Sequence, residues 1–118
     1  MMVSGLNCKD TYLHQWQDLY DMRNSSDWVK YVLDLPMSGI PGEKFEYCNG
    51  VSFLLSAIIR NASEMSTLDF AKQYLFTPLD IADVDWEANP QGYHLGYGEM
   101  WLTPHDMAKI GWLYLNKG

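Results

Sequence analysis

Cysteine, histidine, positive charge and long apolar runs are all scarce in this chain. Two cysteines and three histidines, at no metal-ligand spacing, do not complete a four-ligand zinc site, and no phosphate-binding glycine loop occurs. We therefore expect neither a metal nor a cofactor. Eight basic against fifteen acidic residues give a net charge of −7, which disfavours binding to nucleic acid or anionic lipid. The longest strongly apolar stretch, Val51 to Ile59, is far too short to span a membrane.

The two cysteines leave two interpretations open. Two free thiols at Cys8 and Cys48 are the simpler expectation, and the alternative is a disulfide that would add about 3 to 4 kcal/mol in an oxidising compartment. Cys48 is also the one candidate nucleophile. Alternation along an extended segment points it away from Tyr47 and Asn49, so we do not expect it to act as one.

What the chain does contain is material for one buried core. With 118 residues, 47% of them hydrophobic and 14% aromatic, it is long enough for a single domain over residues 1–118 and too short for two. Hydrophobic periodicity predicts a mainly α fold, in which a segment rich in glycine and aromatic residues forms at most short strands. The predicted helices lie near residues 27–35, 50–61, 67–76 and 104–116.

Two of these helices carry weaker or incomplete start signals. Ser25 or Ser26 is expected to cap the first helix, and Ser66 with Asp69 resembles a capping box. The stretch from Val51 to Ile59 is apolar on every face, which is typical of a helix surrounded by protein. We expect it to be the central helix of the domain.

The clearest helix start lies near the carboxyl end. Thr103 is expected to cap, and Pro104 takes the first helical position. The pattern that follows predicts a buried face formed by Met107, Ile110, Gly111, Leu113 and Tyr114.

The candidate catalytic residues are Tyr47 and Asn49. A turn at residues 39–42 delivers a short extended segment, Lys44 to Tyr47, to the start of the central helix. If Tyr47 and Asn49 lie on one face there, a phenol and a carboxamide stand side by side where backbone N–H groups converge. The local pattern alone favours a simpler alternative, in which Tyr47 is a packed aromatic and Asn49 is the helix cap.

Five short patterns occur in order along the chain, and together they resemble a known family. They are Met2-Val3-Ser4-Gly5-Leu6, Pro41-Gly42-x-x-Phe45-x-Tyr47-x-Asn49, Leu54-Leu55-Ser56-Ala57-Ile58-Ile59, Phe70-Ala71-x-x-Tyr74-Leu75-Phe76-x-Pro78-Leu79 and Leu102-Thr103-Pro104-x-Asp106-Met107-Ala108-Lys109. This order resembles the class C β-lactamase-like serine hydrolases, which include β-lactamases, penicillin-binding D,D-peptidases and esterases. Tyr47-Cys48-Asn49 is similar to the Tyr-x-Asn signature of that family.

The resemblance implies hydrolysis through an acyl-enzyme, with Tyr47 in proton transfer and Asn49 holding the amide of a small acyl substrate. None of the eight serines is followed by lysine three positions later, so the family's Ser-x-x-Lys motif is expected before Met1, and its third motif after Gly118. The string His94-Leu95-Gly96 matches that third motif but precedes the Thr103 helix, so we treat it as a coincidence.

The chain is therefore expected to be the helical region of an α+β hydrolase, inactive alone, whose uncovered apolar surface near Val51 to Ile59 drives self-association. The alternative is a non-catalytic helical binding or interaction module. The first residues, Met1 to Leu6, lack the apolar run of an export signal, and the sequence predicts no location.

Overall fold

The described residues form five α-helices and a two-stranded sheet. A computed structural model describes residues 2–10, 14 and 16–118. In chain order the elements are α1 (Gln17–Asn24), α2 (Trp28–Leu33), α3 (Asn49–Ser63), α4 (Thr67–Ala71) continued by a π-helical turn (Lys72–Phe76), β1 (Asp85–Trp86), β2 (Met100–Trp101) and α5 (Pro104–Leu115). The prediction of a mainly α fold with only short strands is confirmed.

The core lies where α1, α2 and α3 meet the glycine- and aromatic-rich segment. Its fully buried members are Met22, Trp28, Val32, Phe53 and Leu95. The ring of Phe53 contacts those of Trp28 and Tyr93, with centroids 5.5 Å and 6.1 Å away. Aromatic pairs at these distances add to the stabilisation from burial alone.

Two close backbone approaches explain why glycine occupies these positions. A Cβ on Gly50 would come within 2.7 Å of the Val32 side chain, so glycine lets α2 and α3 pack together. A Cβ on Gly96 would come within 2.2 Å of the Ser52 carbonyl oxygen. These contacts hold both α2 and the segment after β1 directly against the first turns of α3.

The two-stranded sheet organises the segment between α4 and α5. β1 and β2 are antiparallel, with Asp85 opposite Trp101 and Trp86 opposite Met100. The indole N–H of Trp86 donates to the carbonyl oxygens of Leu95 and Gly98, at 2.9 Å and 3.1 Å. The tryptophan therefore fixes the glycine-rich loop that returns to the core.

Helix starts agree with the local signals at α4 and at α5, where the Thr103 hydroxyl accepts the Asp106 N–H, and differ at α2. The Ser66 hydroxyl accepts the Asp69 N–H at 3.0 Å, as the capping box predicts. The α2 cap is Asp27, whose carboxylate accepts the Lys30 N–H at 3.0 Å, so the expectation of a Ser25 or Ser26 cap is wrong. The Ser25 hydroxyl instead donates to the Met22 carbonyl at the end of α1.

The expected buried face of α5 is not buried. Met107 is 61% exposed and Tyr114 is 83% exposed, whereas Asp106 is the buried residue of this helix. The reason is that periodicity identifies an apolar face but says nothing about what covers it. Similarly, α3 is not enclosed on every side, because Leu55 and Ile58 are exposed.

The expectation of two free thiols is also wrong. Cys8 and Cys48 are joined by a disulfide, with their Cα atoms 5.7 Å apart. The bond forms because the amino-terminal segment runs beside the loop before α3, where the Asn7 N–H donates to the Pro36 carbonyl at 2.7 Å.

Within the part of the chain that the structure describes, no helix has the length and hydropathy needed to cross a bilayer.

Candidate active site

A tight turn and a backbone anchor deliver Tyr47 to the start of α3. The Glu43 N–H donates to the Ile40 carbonyl at 3.2 Å, and Gly42 adopts a φ of 94°, which suits glycine at the second central position. The Glu46 N–H then donates to the Met2 carbonyl at 2.7 Å. The amino-terminal segment therefore fixes the residue immediately before Tyr47.

Tyr47 and Asn49 lie side by side. The Tyr47 hydroxyl donates to Asn49 Oδ1 at 2.9 Å. Asn49 is only 4% exposed, whereas Tyr47 is 38% exposed and presents its ring edge-on to Trp16, 6.1 Å between centroids. A buried carboxamide thus orients a phenol that solvent and small molecules can reach.

Asn49 does not cap α3, contrary to the simpler alternative drawn from its position. Cys48 occupies the N-cap position with extended backbone angles, and its side chain makes no capping hydrogen bond. The Asn49 N–H instead donates to Oδ2 of Asp10 at 2.8 Å. Because a carboxylate from elsewhere in the chain satisfies this amide, the Asn49 side chain is left to bond Tyr47.

Asp10 is the residue of this site that the sequence did not reveal. It is 1% exposed, and its second oxygen accepts the Leu19 N–H of α1 at 2.8 Å. Burial raises the pKa of Asp10 above its usual value, and the two backbone donors on Asn49 and Leu19 oppose that rise. No local signal could have identified Asp10, because its partner Asn49 lies 39 positions away.

An open cavity of about 470 Å³ lies in front of the pair. Its lining residues come from α1 and from the start of α3: Trp16, Leu19, Tyr20, Arg23, Asn24, Tyr47 and Asn49. Arg23 brings a positive charge to this lining. Its guanidinium lies 3.8 Å from the Glu87 carboxylate, and because both side chains are about half exposed the pair is weak.

Two other candidates, Cys48 and His94, do not line this cavity. Cys48 has no thiol, because it is bonded to Cys8. Asp10 lies close to both sulfurs, but in a disulfide they are not thiolate ligands for a metal. His94 packs against Trp86 with centroids 5.6 Å apart. Burial lowers its pKa, and no described residue hydrogen-bonds to its buried Nδ1.

Comparison with protein families assigns the fold to which this site belongs. The family model for Beta-lactamase matches residues 2–118, which is nearly the whole chain. No curated protein matches the chain. The chain belongs to the β-lactamase family, and the resemblance to β-lactamase-like serine hydrolases is confirmed.

Proposed function

We propose that the chain forms one wall of the active site of a hydrolase that cleaves an amide or ester bond through an acyl-enzyme. The observation that carries this proposal is the hydrogen bond from Tyr47 to the buried Asn49 at an open cavity, in a chain of the β-lactamase family. The cavity would receive a small acyl substrate, and the acidic net charge makes nucleic acid an unsuitable partner.

The two side chains suit different steps. Since Asn49 Oδ1 accepts from Tyr47, only its NH₂ group can donate to the carbonyl oxygen of a substrate amide, and there the substrate would share that group with the Asp10 carboxylate. The phenol of Tyr47 would move a proton between the attacking nucleophile and the leaving group. The disulfide removes Cys48 as a competing nucleophile beside them.

The residues of this chain do not by themselves make a tyrosine a strong base. An ordinary tyrosine would need its pKa lowered by about three units, or about 4 kcal/mol, to act near neutrality, and a helix start supplies at most about 1 kcal/mol. The remaining stabilisation of a phenolate would come from cations, of which this chain contributes Arg23 to the cavity lining, and the others are proposed to lie outside residues 1–118.

The nucleophile is also expected from outside these residues. No serine of the chain is followed by lysine three positions later, so none forms the Ser-x-x-Lys pair. We therefore propose that residues 1–118 are part of a larger hydrolase domain and are inactive alone.

The test uses the chain with and without the serine-containing segment. We expect the 118-residue chain neither to hydrolyse a chromogenic cephalosporin nor to retain labelled penicillin. In a protein that includes the Ser-x-x-Lys segment, Tyr47→Phe should lower kcat/KM for the substrate it hydrolyses by about 100-fold or more. Tyr20→Phe, at an exposed tyrosine of the same cavity, is the matched control and should have little effect. Equal effects of the two variants would contradict the proposal.

A second candidate, a non-catalytic interaction module, is favoured by the exposed apolar side chains. α3 exposes Leu55 and Ile58, and α5 exposes Trp112, Tyr114 and Leu115. We expect the isolated chain to self-associate through these residues, because large exposed apolar patches mark interaction surfaces.

Light scattering over a concentration series tests the self-association, which the hydrolase fragment and the interaction module both predict. The mass should rise above 13.6 kDa with concentration, and Trp112→Gln should reduce the rise. Leu33→Gln on α2 is the control, because Leu33 is 65% exposed and Trp112 is 67% exposed. A monomeric mass at every concentration would exclude self-association.

A further inference from the structure

The cavity has two walls that are distant in sequence and are joined by one buried carboxylate. We propose that Asp10 is a positioning residue, which sets the spacing of these walls and thereby holds Tyr47 and Asn49 in their orientation. Its relevance to catalysis rests on the function proposed above. The positioning itself does not, and it can be measured without any reaction.

The hydrogen bonds of Asp10 divide between the two walls. Oδ1 accepts the N–H of Leu19, which belongs to the α1 wall, at 2.8 Å. Oδ2 accepts the N–H of Asn49, which belongs to the α3 wall, also at 2.8 Å. Because Asp10 is 1% exposed, water does not readily replace either bond.

A covalent bond holds the same segment in place. Cys8, two residues before Asp10, is bonded to Cys48, which lies between Tyr47 and Asn49. The segment 8–10 is therefore attached to the candidate site at two points, one covalent and one hydrogen-bonded. A shift of the Asp10 carboxylate would move the Asn49 amide, and Asn49 in turn orients the Tyr47 hydroxyl.

The carboxylate can do this because both of its oxygens are acceptors. Asparagine has the same shape but presents one oxygen and one NH₂ group, so it satisfies only one of two N–H donors. Asp10→Asn should therefore release one wall while changing the side-chain volume very little. The variant tests the bridge rather than the packing.

A merely structural role predicts a different outcome, and Asp106 provides the comparison. Asp106, like Asp10, is a buried carboxylate, with 8% of its surface exposed. It lies in the first turn of α5 and accepts from the Thr103 hydroxyl at 2.7 Å. It does not line the cavity. If Asp10 only stabilises α3, Asp10→Asn should weaken the first turn of α3 without moving the Tyr47 ring, just as Asp106→Asn should weaken only the first turn of α5.

The experiment is NMR on the 118-residue chain and on the two variants. We expect Asp10→Asn to shift the Tyr47 ring and Asn49 carboxamide resonances, and to speed hydrogen exchange at the Asn49 or Leu19 amide by about tenfold or more relative to the other α3 amides. Asp106→Asn should leave all of these signals unchanged. Unchanged Tyr47 and Asn49 signals in Asp10→Asn, or equal shifts in both variants, would overturn the proposal.

A second measurement applies if Asp10→Asn does not fold. Acid titration uses the chain carrying Asp18→Asn, which removes the neighbouring carboxylate that bonds the Tyr31 hydroxyl and the Lys9 N–H. Compared with the same variant at neutral pH, the Asn49 and Leu19 amides and the Tyr47 ring should move with one common midpoint. Separate midpoints for the two walls would overturn the proposal.

Catalysis gives an independent measurement in a protein that contains the serine. There Asp10→Asn should lower kcat/KM about tenfold, because Asp10 acts through Tyr47, which moves the proton, and through Asn49, which holds the substrate amide. Asp106→Asn should leave kcat/KM within about twofold. If no variant or parent protein shows hydrolysis while the NMR shifts are seen, the proposed function fails and the positioning role stands.

Discussion

The starts of α3 and α5 use the same chemistry from different sources. At α5 the Thr103 hydroxyl accepts the Asp106 N–H at 3.1 Å, so the cap is complete within four residues. At α3 the acceptor is the carboxylate of Asp10, 39 residues before Asn49. A local cap specifies only that a helix begins, whereas a distant cap also specifies where that beginning lies relative to another part of the chain.

The two helices also differ in what they bury. α3 places Phe53, which is 0% exposed, at the centre of the core, while α5 exposes Trp112 to 67%. Most of the burial that stabilises the described fold is therefore concentrated around α3. The candidate site thus lies beside the most buried helix of the described fold. The difference in burial between α3 and α5 should appear as a difference in the stability lost on mutation.

The largest effect should come from truncating the core aromatic of α3. Phe53→Ala is expected to lower the free energy of unfolding by about 3–5 kcal/mol, because it removes a buried ring and leaves a cavity. Trp112→Ala, an equally drastic change on α5, should cost within about 0.5 kcal/mol in the monomeric chain. Denaturant titrations followed by circular dichroism measure both. Similar losses would show that α5 is packed far better than its exposure indicates.

The disulfide should contribute the next largest effect. Reduction of Cys8–Cys48, which closes a loop across a sequence separation of 40, should lower the free energy of unfolding by about 2–4 kcal/mol. Denaturation with and without dithiothreitol measures the loss. A chain with both cysteines replaced by serine is the control and should not respond to the reductant. Identical midpoints for the oxidised and reduced chain would show that the bond does not stabilise the fold.

The elements predicted correctly are those specified by neighbouring residues. Thr103 and Ser66 lie three positions from the N–H groups that they cap, so sequence alone places the starts of α4 and α5. The order of the motifs also identified the family and singled out Tyr47 and Asn49. Their side-by-side placement needed only the alternation of an extended segment.

The features that were missed depend on residues far apart in the chain. α1 is short and polar on average, and it was not predicted. Its Leu19 amide is bound by Asp10. The Cys8–Cys48 bond depends on the path of the amino-terminal segment rather than on spacing. The expectation of a buried face on α5 was wrong for the same reason, because periodicity does not show whether another part of the chain covers Tyr114.

A smaller effect is expected from the local cap of α5. Thr103→Ala should lower the free energy of unfolding by about 1 kcal/mol and speed hydrogen exchange in the first turn of α5, because the Asp106 N–H loses its acceptor. Thr103→Ser keeps the hydroxyl and should restore most of the stability. The Tyr47 and Asn49 resonances should not change in either variant. A change there would couple the local cap to the site and remove the contrast between the two helices.

The smallest effect should be the acid response of the two buried carboxylates, which is expected to run in opposite directions. Hydrogen bonds from the Thr103 hydroxyl and then from Lys109 hold the pKa of Asp106 below its usual value, whereas burial raises the pKa of Asp10. The stability that Asp106 contributes is therefore present above its unfolded pKa and is lost as pH falls through its folded pKa. The pKa of Asp10 is raised, so at this residue the folded state becomes more stable relative to the unfolded state as pH falls. The unfolding free energy of wild type minus that of Asp106→Asn should thus decrease as pH falls below about 4. The difference between wild type and Asp10→Asn should instead increase as pH falls through the raised folded pKa of Asp10 towards about 4, and should level off below the unfolded value. Denaturant titrations at a series of pH values, at low and high salt, measure both differences. Parallel profiles would contradict the assignment of hydrogen bonding as the dominant effect at Asp106 and burial at Asp10.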